Sequence, residues 1–122
     1  MTHINKQEHN IQTAHVVPSS VSLEDKETYC VTSTGVLTAA TGAFVYGVVR
    51  IGRPANEASQ VITYGETVAR VNGSGVNLAS GDPITGGADG KFVKCAWADS
   101  SYPRGHVLEA VTTDTTARVM LF

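Results

Sequence analysis

β-branched side chains dominate this chain. Val (16), Thr (14) and Ile (5) together supply 35 of its 122 residues, against 5 Leu. Such side chains lose rotamer freedom in a helix and fit the pleated surface of a sheet, so the chain leans all-β. Glycine supplies the punctuation: there are 12, none before Gly35, and short β-branched or aromatic runs lie between them. At 122 residues there is room for one core and no second domain. The 42% hydrophobic content is enough to fill that core. With 9 Lys+Arg against 11 Asp+Glu, the net charge is -2. That balance excludes a general nucleic-acid binder and a polybasic membrane clamp, both of which need a cationic surface.

The expected strands are Thr28–Thr32, Ala43–Ile51, Gln60–Tyr64, Thr67–Val71, Lys91–Trp97, His106–Val111 and Ala117–Phe122. Gly65-Glu66 splits the third from the fourth, and Asn72-Gly73 is a favoured hairpin dipeptide. Alternation in Lys91–Trp97 would put Val93, Cys95 and Trp97 on one face. The apolar Met120-Leu121-Phe122 should lie inside the sheet. Arg53–Ser59, with Pro54 near its start, could hold one helical turn. Residues 28–49 carry no charge, yet their many Thr and Gly read as two buried strands around a loop rather than a membrane helix. Strands spaced near ten residues apart, with Gly, Asp, Asn and Pro between them, argue for a small barrel or sandwich.

Residues 1–20 differ from the rest. They are polar, lack Gly, hold three of the four His (His3, His9, His15), and end at Val16-Val17-Pro18-Ser19-Ser20. No apolar stripe joins Ile4 to Ile11, so an extended arm suits them better than a helix. Stretched at ~3.3 Å per residue, such an arm reaches roughly 66 Å, whereas a domain of this length has a radius of gyration of about 14 Å. It is either an arm that crosses a neighbouring subunit or a loose terminus. The division is thus an arm over 1–20 and a β domain over 21–122. The first ten residues show neither the basic start nor the apolar run of an export signal.

Searches for chemistry mostly fail. A P-loop ending at Gly90-Lys91 would need Gly at Thr85 and Ser or Thr at Phe92. No Ser sits in a Gly-x-Ser-x-Gly elbow. Outside the arm only His106 could act as a general base, and a strand His with Glu109 nearby is more often a surface or packing residue. The arm histidines are six apart, which matches no metal-ligand spacing, and Asp82, Asp89 and Asp99 stand alone as turn formers. Asn72-Gly73-Ser74 fits a glycosylation acceptor but reads as a turn. Cys30 and Cys95 are either one disulfide or two buried thiols. Trp97 followed by Tyr102-Pro103 is an exposed interface cluster or a core corner. No catalytic residue, metal or cofactor is expected.

An ordered set of short motifs spans residues 47–122. It comprises Gly47-Val48-Val49, Gly65-Glu66-Thr67-Val68-Ala69-Arg70-Val71, the Asn72–Val76 turn, Leu78-Ala79-Ser80-Gly81-Asp82-Pro83-Ile84, Asp89-Gly90-Lys91, Gly105-His106-Val107-Leu108-Glu109-Ala110 and Ala117–Phe122. In that order the set resembles the head-decoration, or capsid-cement, proteins of tailed bacteriophages, a family with the lambda head-decoration protein among its architectures. The first 46 residues carry no part of the likeness. The resemblance implies an all-β fold, a small β-barrel or β-tulip-like domain with an extended N-terminal arm. It also implies no active site, a role in binding and stabilising the outer capsid surface at capsomer junctions, and a location on the virion after synthesis in the bacterial host cytoplasm.

The partner implied is the major capsid protein, met by a homotrimer at three-fold positions, with neither nucleic acid nor membrane involved. Expected contact residues are Ile4, Ile11, His15 and Val17 in the arm, with Trp97 and Tyr102 on the barrel. On this reading, deleting residues 2–17 should weaken capsid binding and leave the fold intact. A carbohydrate- or host-binding module on the virion, using Trp97, Asp99 and Tyr102, is the alternative; a hydrolase is remote.

Overall fold

The structure, a computed structural model, describes residues 12–97 and 103–122. Eight strands form one sheet: β1 (Gln12–Pro18), β2 (Cys30–Val31), β3 (Gly47–Ile51), β4 (Ala58–Asn72), β5 (Pro83–Gly86), β6 (Phe92–Lys94), β7 (Gly105–Val107) and β8 (Asp114–Leu121). They run in the order β2-β3-β4-β6-β5-β7-β8, and β8 returns to pair with β4. The ring β4-β6-β5-β7-β8 is therefore a closed five-stranded barrel, the all-β fold expected from composition. The helical signal over Arg53–Ser59 resolves as a β-turn, with Glu57 N–H donating to the Pro54 carbonyl.

β4 organises everything else. Sequence patterning cut it in two at Gly65-Glu66, but it is one strand of 15 residues. Gly65 has a φ of +97°, a backbone state that side chains other than glycine's strongly disfavour. It bends the strand without ending it. Ile62 faces both Ala14 and Val48, while Gly65 faces both Gln12 and Leu121. So β1 follows one edge of β4, and β3 then β8 share the other.

Two apolar clusters fill the fold. The larger lines the barrel and includes Ile62, Ala69, Val71, Ile84, Phe92, Val107, Val119 and Leu121. The smaller joins Val17, Leu23, Val31, Val49 and Val61. Val48 and Ile62 belong to the first and their neighbours Val49 and Val61 to the second. The β3–β4 ladder is thus buried on both faces, which explains why Val48-Val49 and Val61-Ile62 are continuous apolar runs rather than alternating ones. In β6 Phe92 is buried and Val93 half-buried, so the face that carries Val93 is the outer one.

Asn72-Gly73 makes no hairpin. The Asn72 side-chain oxygen accepts the Ser74 N–H at 3.1 Å, and β4 pairs with β8, not with the chain that follows. The Ala79-Ser80-Gly81-Asp82 step is a turn with Gly81 at φ +92°, closed by Asp82 N–H on the Ala79 carbonyl. The Asp82 carboxylate accepts the Ala79 N–H at 2.8 Å, and Pro83 then opens β5 buried. Each residue type in that motif therefore has a local job: Gly for positive φ, Asp for the open donor, Pro for a strand start.

Part of the expected arm is paired into the sheet. Residues 12–18 are a strand of this domain, and Val17 is 3% exposed inside the smaller cluster. Val17 therefore packs at home rather than on a partner. Removing residues 2–17 would strip most of β1 from β4.

Where β3 leaves β4 and β8 takes over, the edge has a gap. Arg104 fills it. Its guanidinium donates to the carbonyls of Val45 (2.8 Å), Tyr46 (3.1 Å), Thr63 (2.6 Å) and Phe122 (2.5 Å). Burial lowers its pKa from the usual guanidinium value. Charge survives because carbonyl dipoles replace water around a weakly hydrated ion. We predict that Arg104→Lys, which offers three donors on a point charge, lowers unfolding free energy by about 2 kcal/mol in urea titration.

Cys30 is a free, fully buried thiol, so the two cysteines do not pair. Its sulfur lies 3.2 Å from Thr38 Oγ1, whose hydroxyl donates to the Gly87 carbonyl at 2.7 Å. Burial pushes the thiol from 9.0 up to about 11. The unfolded chain therefore loses this proton at a lower pH than the folded one. The contribution to stability is complete below pH 9.0 and disappears as pH rises to about 11. Thermal melts across that window should show a decline of at most ~1.4 kcal/mol per pH unit that is absent in Cys30→Ala.

Candidate interaction surface

Alternation along β7 and β8 aims two rings outward. His106 stands between buried Gly105 and Val107, and Phe122 follows buried Leu121. Trp97, just beyond β6, lies over both. Its ring stacks on Phe122 at 5.9 Å with 15° between planes, and sits 6.4 Å from His106. His106 and Phe122 are 6.1 Å apart, completing the triangle.

Tyr64 is exposed one residue before Gly65, which pairs with Leu121. The exposures are 57% for Trp97, 49% for Phe122 and 54% for Tyr64. Phe44, at 68%, stands at a cleft of about 140 Å³ that Val45, Pro103 and Arg104 also line. Arg104 ties this surface together from beneath, since it binds the carbonyls of Val45, Thr63 and Phe122, each next to or at one of these aromatic positions.

Of the contact residues expected from sequence, Trp97 is exposed and belongs to this patch. His15 is exposed on β1, with its ring 6.1 Å from Tyr46 in an edge-on arrangement. Val17 is buried, and Ile4, Ile11 and Tyr102 lie outside the described residues. Phe122, expected inside the sheet, is half out of it. Sequence reading missed Tyr64 and Phe122 as surface residues and Arg104 altogether. Period-two alternation from the buried neighbours Gly65 and Leu121 was the signal for the first two. For Arg104 there was none, because its acceptors come from three distant segments.

The chemistry available here is adhesive. Flat, rigid rings on a closed barrel offer apolar area at low entropic cost. Among the described residues, no three His, Cys, Asp or Glu side chains gather as a metal site.

Comparison with known proteins places the fold. No family model matches the chain. None of the curated proteins matches it either. Among solved structures, the chain is similar to the N base of the head fiber gp8.5 in bacteriophage phi29. The TM-score is 0.61 at 16% identity, covering 92% of this chain and 95% of that one. A shared fold over nearly the whole of both chains is what that likeness establishes.

Trp97 is the one tryptophan in the chain, so its emission reads the patch directly. In Phe122→Ala, acrylamide should quench Trp97 more strongly than in the parent, with the melting temperature little changed.

Proposed function

We propose that this protein is a structural component of a phage virion that binds the outer capsid surface and cements the head where capsomers meet. It works by adhesion and not by catalysis. The single observation that carries this reading is the end-to-end likeness of fold to a bacteriophage head-fiber base. The motif series over residues 47–122 supports the same reading from the sequence side. The exposed aromatic patch supplies a surface suited to it.

Magnitudes decide how such a patch can act. Aromatic side chains carry 150–250 Å² each, so four half-exposed rings offer on the order of 400 Å². At about 25 cal/mol per Å² that is roughly 10 kcal/mol before costs. Association itself costs an estimated ~4–15 kcal/mol, and a stable interface buries about 800 Å² per partner. One patch on one copy is therefore too little. Attachment needs a second surface or several linked copies, each adding at high effective concentration. A homotrimer docked at three-fold positions on the major capsid protein, with residues before Gln12 as additional contacts, meets that need.

The test mixes purified protein with shells that lack it, then pellets the shells and images them. Bound protein with density at three-fold or quasi-three-fold positions is expected. Trp97→Ala with Phe122→Ala should weaken attachment at least about tenfold, the loss of ~1.4 kcal/mol or more. Absence of attachment, or attachment indifferent to both substitutions, overturns the proposal. Retention on a glycan array without shell binding would replace it with a carbohydrate-binding role.

A further inference from the structure

β1 has a free edge. It pairs with β4 along one side, and among the described residues no strand lies along the other. Gln12 through Val16 are all exposed. Proteins commonly protect such an edge with lysines, bulges or an inserted proline. β1 has none of these before its last residue. Gln12-Thr13-Ala14-His15-Val16-Val17 contains no Asp, Glu, Lys, Arg, Gly or Pro, and the one irregularity in its ladder places the extra residue, Thr63, on β4.

The direction of its main-chain groups follows from β3. Val49 is paired with Val61 of β4, but Val49 directs both its groups the other way: its N–H donates to the Tyr29 carbonyl and its carbonyl accepts the Thr28 N–H, each at 2.9 Å. In an antiparallel ladder such a pair exchanges no hydrogen bonds, so Val61 turns its N–H and C=O to its opposite edge, toward His15. Ala14 and Val16, on either side of His15, therefore point their N–H and C=O away from β4. Pro18, which has no N–H, closes the free edge at its far end. Val17 is turned into the small apolar cluster, so Ala14 and Val16 have their side chains on the outer face, with Val16 67% exposed.

Two donors and two acceptors at alternate residues are satisfied by an antiparallel strand that offers the same pattern. Composition selects the occupant. Like charges directly opposite destabilise a strand pair, and identical strands bring like charges together at their axis. β1 carries no Asp, Glu, Lys or Arg, so a second copy of it meets no such penalty. We propose that β1 of one copy pairs antiparallel with β1 of a second copy, about a two-fold axis through His15. Ala14 of each copy then faces Val16 of the other, a small apolar side chain against a larger one, and each pair exchanges two hydrogen bonds. A lone strand pair falls short of the roughly 800 Å² per partner of a stable interface, so the contact is weak in dilute solution and acts where copies are crowded. It requires this chain alone and stands apart from the capsid-binding reading; on a shell it would link one docked copy to its neighbour.

Sedimentation and amide NMR of the full chain test this. Dimer should build up reversibly between about 10 µM and about 1 mM. The Ala14 and Val16 amide resonances should shift with concentration, and those of Ala117 and Val119 in the barrel should not. Residue 16 of one copy lies diagonally across the axis from residue 16 of the other, ~7–8 Å away and within reach of long side chains. Val16→Lys, at a position exposed in the single copy, should melt like the parent and dimerise at least about tenfold more weakly. An equal mixture of Val16→Lys and Val16→Glu should recover the dimer. A chain that stays monomeric throughout overturns the proposal. So does association that Val16→Lys leaves unchanged, a mixture no more dimeric than either variant alone, or concentration shifts that fall on Trp97 and Phe122 instead of β1.

Discussion

A single long strand with a different neighbour at almost every stretch is the constraint on which this fold depends. β4 carries β1 on one edge and hands the other from β3 to β8 at its bend. Such a hand-over leaves carbonyls that no strand can reach, and a buried carbonyl without a donor costs about 1–3 kcal/mol. Arg104 resolves the problem with one side chain, because a guanidinium presents its donors as a planar fork. The bend at Gly65 and the plug at Arg104 are two halves of one solution. The first creates the seam that the second closes.

That solution also sets the character of the outer surface. The carbonyls gathered by Arg104 belong to Val45, Tyr46, Thr63 and Phe122. Phe122 itself, and Phe44 and Tyr64 beside Val45 and Thr63, are exposed. The rings are therefore mounted on main chain that is held from below, with closed-barrel hydrogen bonding on either side. A preorganised apolar surface loses little entropy on docking, which is the property that an adhesive protein requires.

The fold was largely legible from residue types. β-branched content, glycine spacing and the two-residue period located most strands, and the Ala79–Pro83 motif had a local physical reading that the structure repeats. Failures came where one local signal had two meanings. Gly65 reads as a strand end, yet in β4 it is a bend inside a continuous ladder, because β1 and β8 pair across it. Asn72-Gly73 reads as a hairpin, yet the following chain turns away to bridge Leu78 to Val111. Val17 reads as part of a free arm, yet it completes a small apolar cluster whose other members lie up to 44 residues further along, from Leu23 to Val61.

The sequence by itself determined the class of structure: an all-β domain with a net charge of -2 and turns fixed by Gly, Asp and Pro. These follow from local stereochemistry and composition, which each residue carries with it. Only tertiary structure decided that the barrel closes through β4 and β8, that Arg104 seals the seam, and that Trp97, His106 and Phe122 meet on one surface. Those outcomes depend on contacts between residues tens of positions apart, and no local pattern encodes which distant carbonyl or ring a side chain will find.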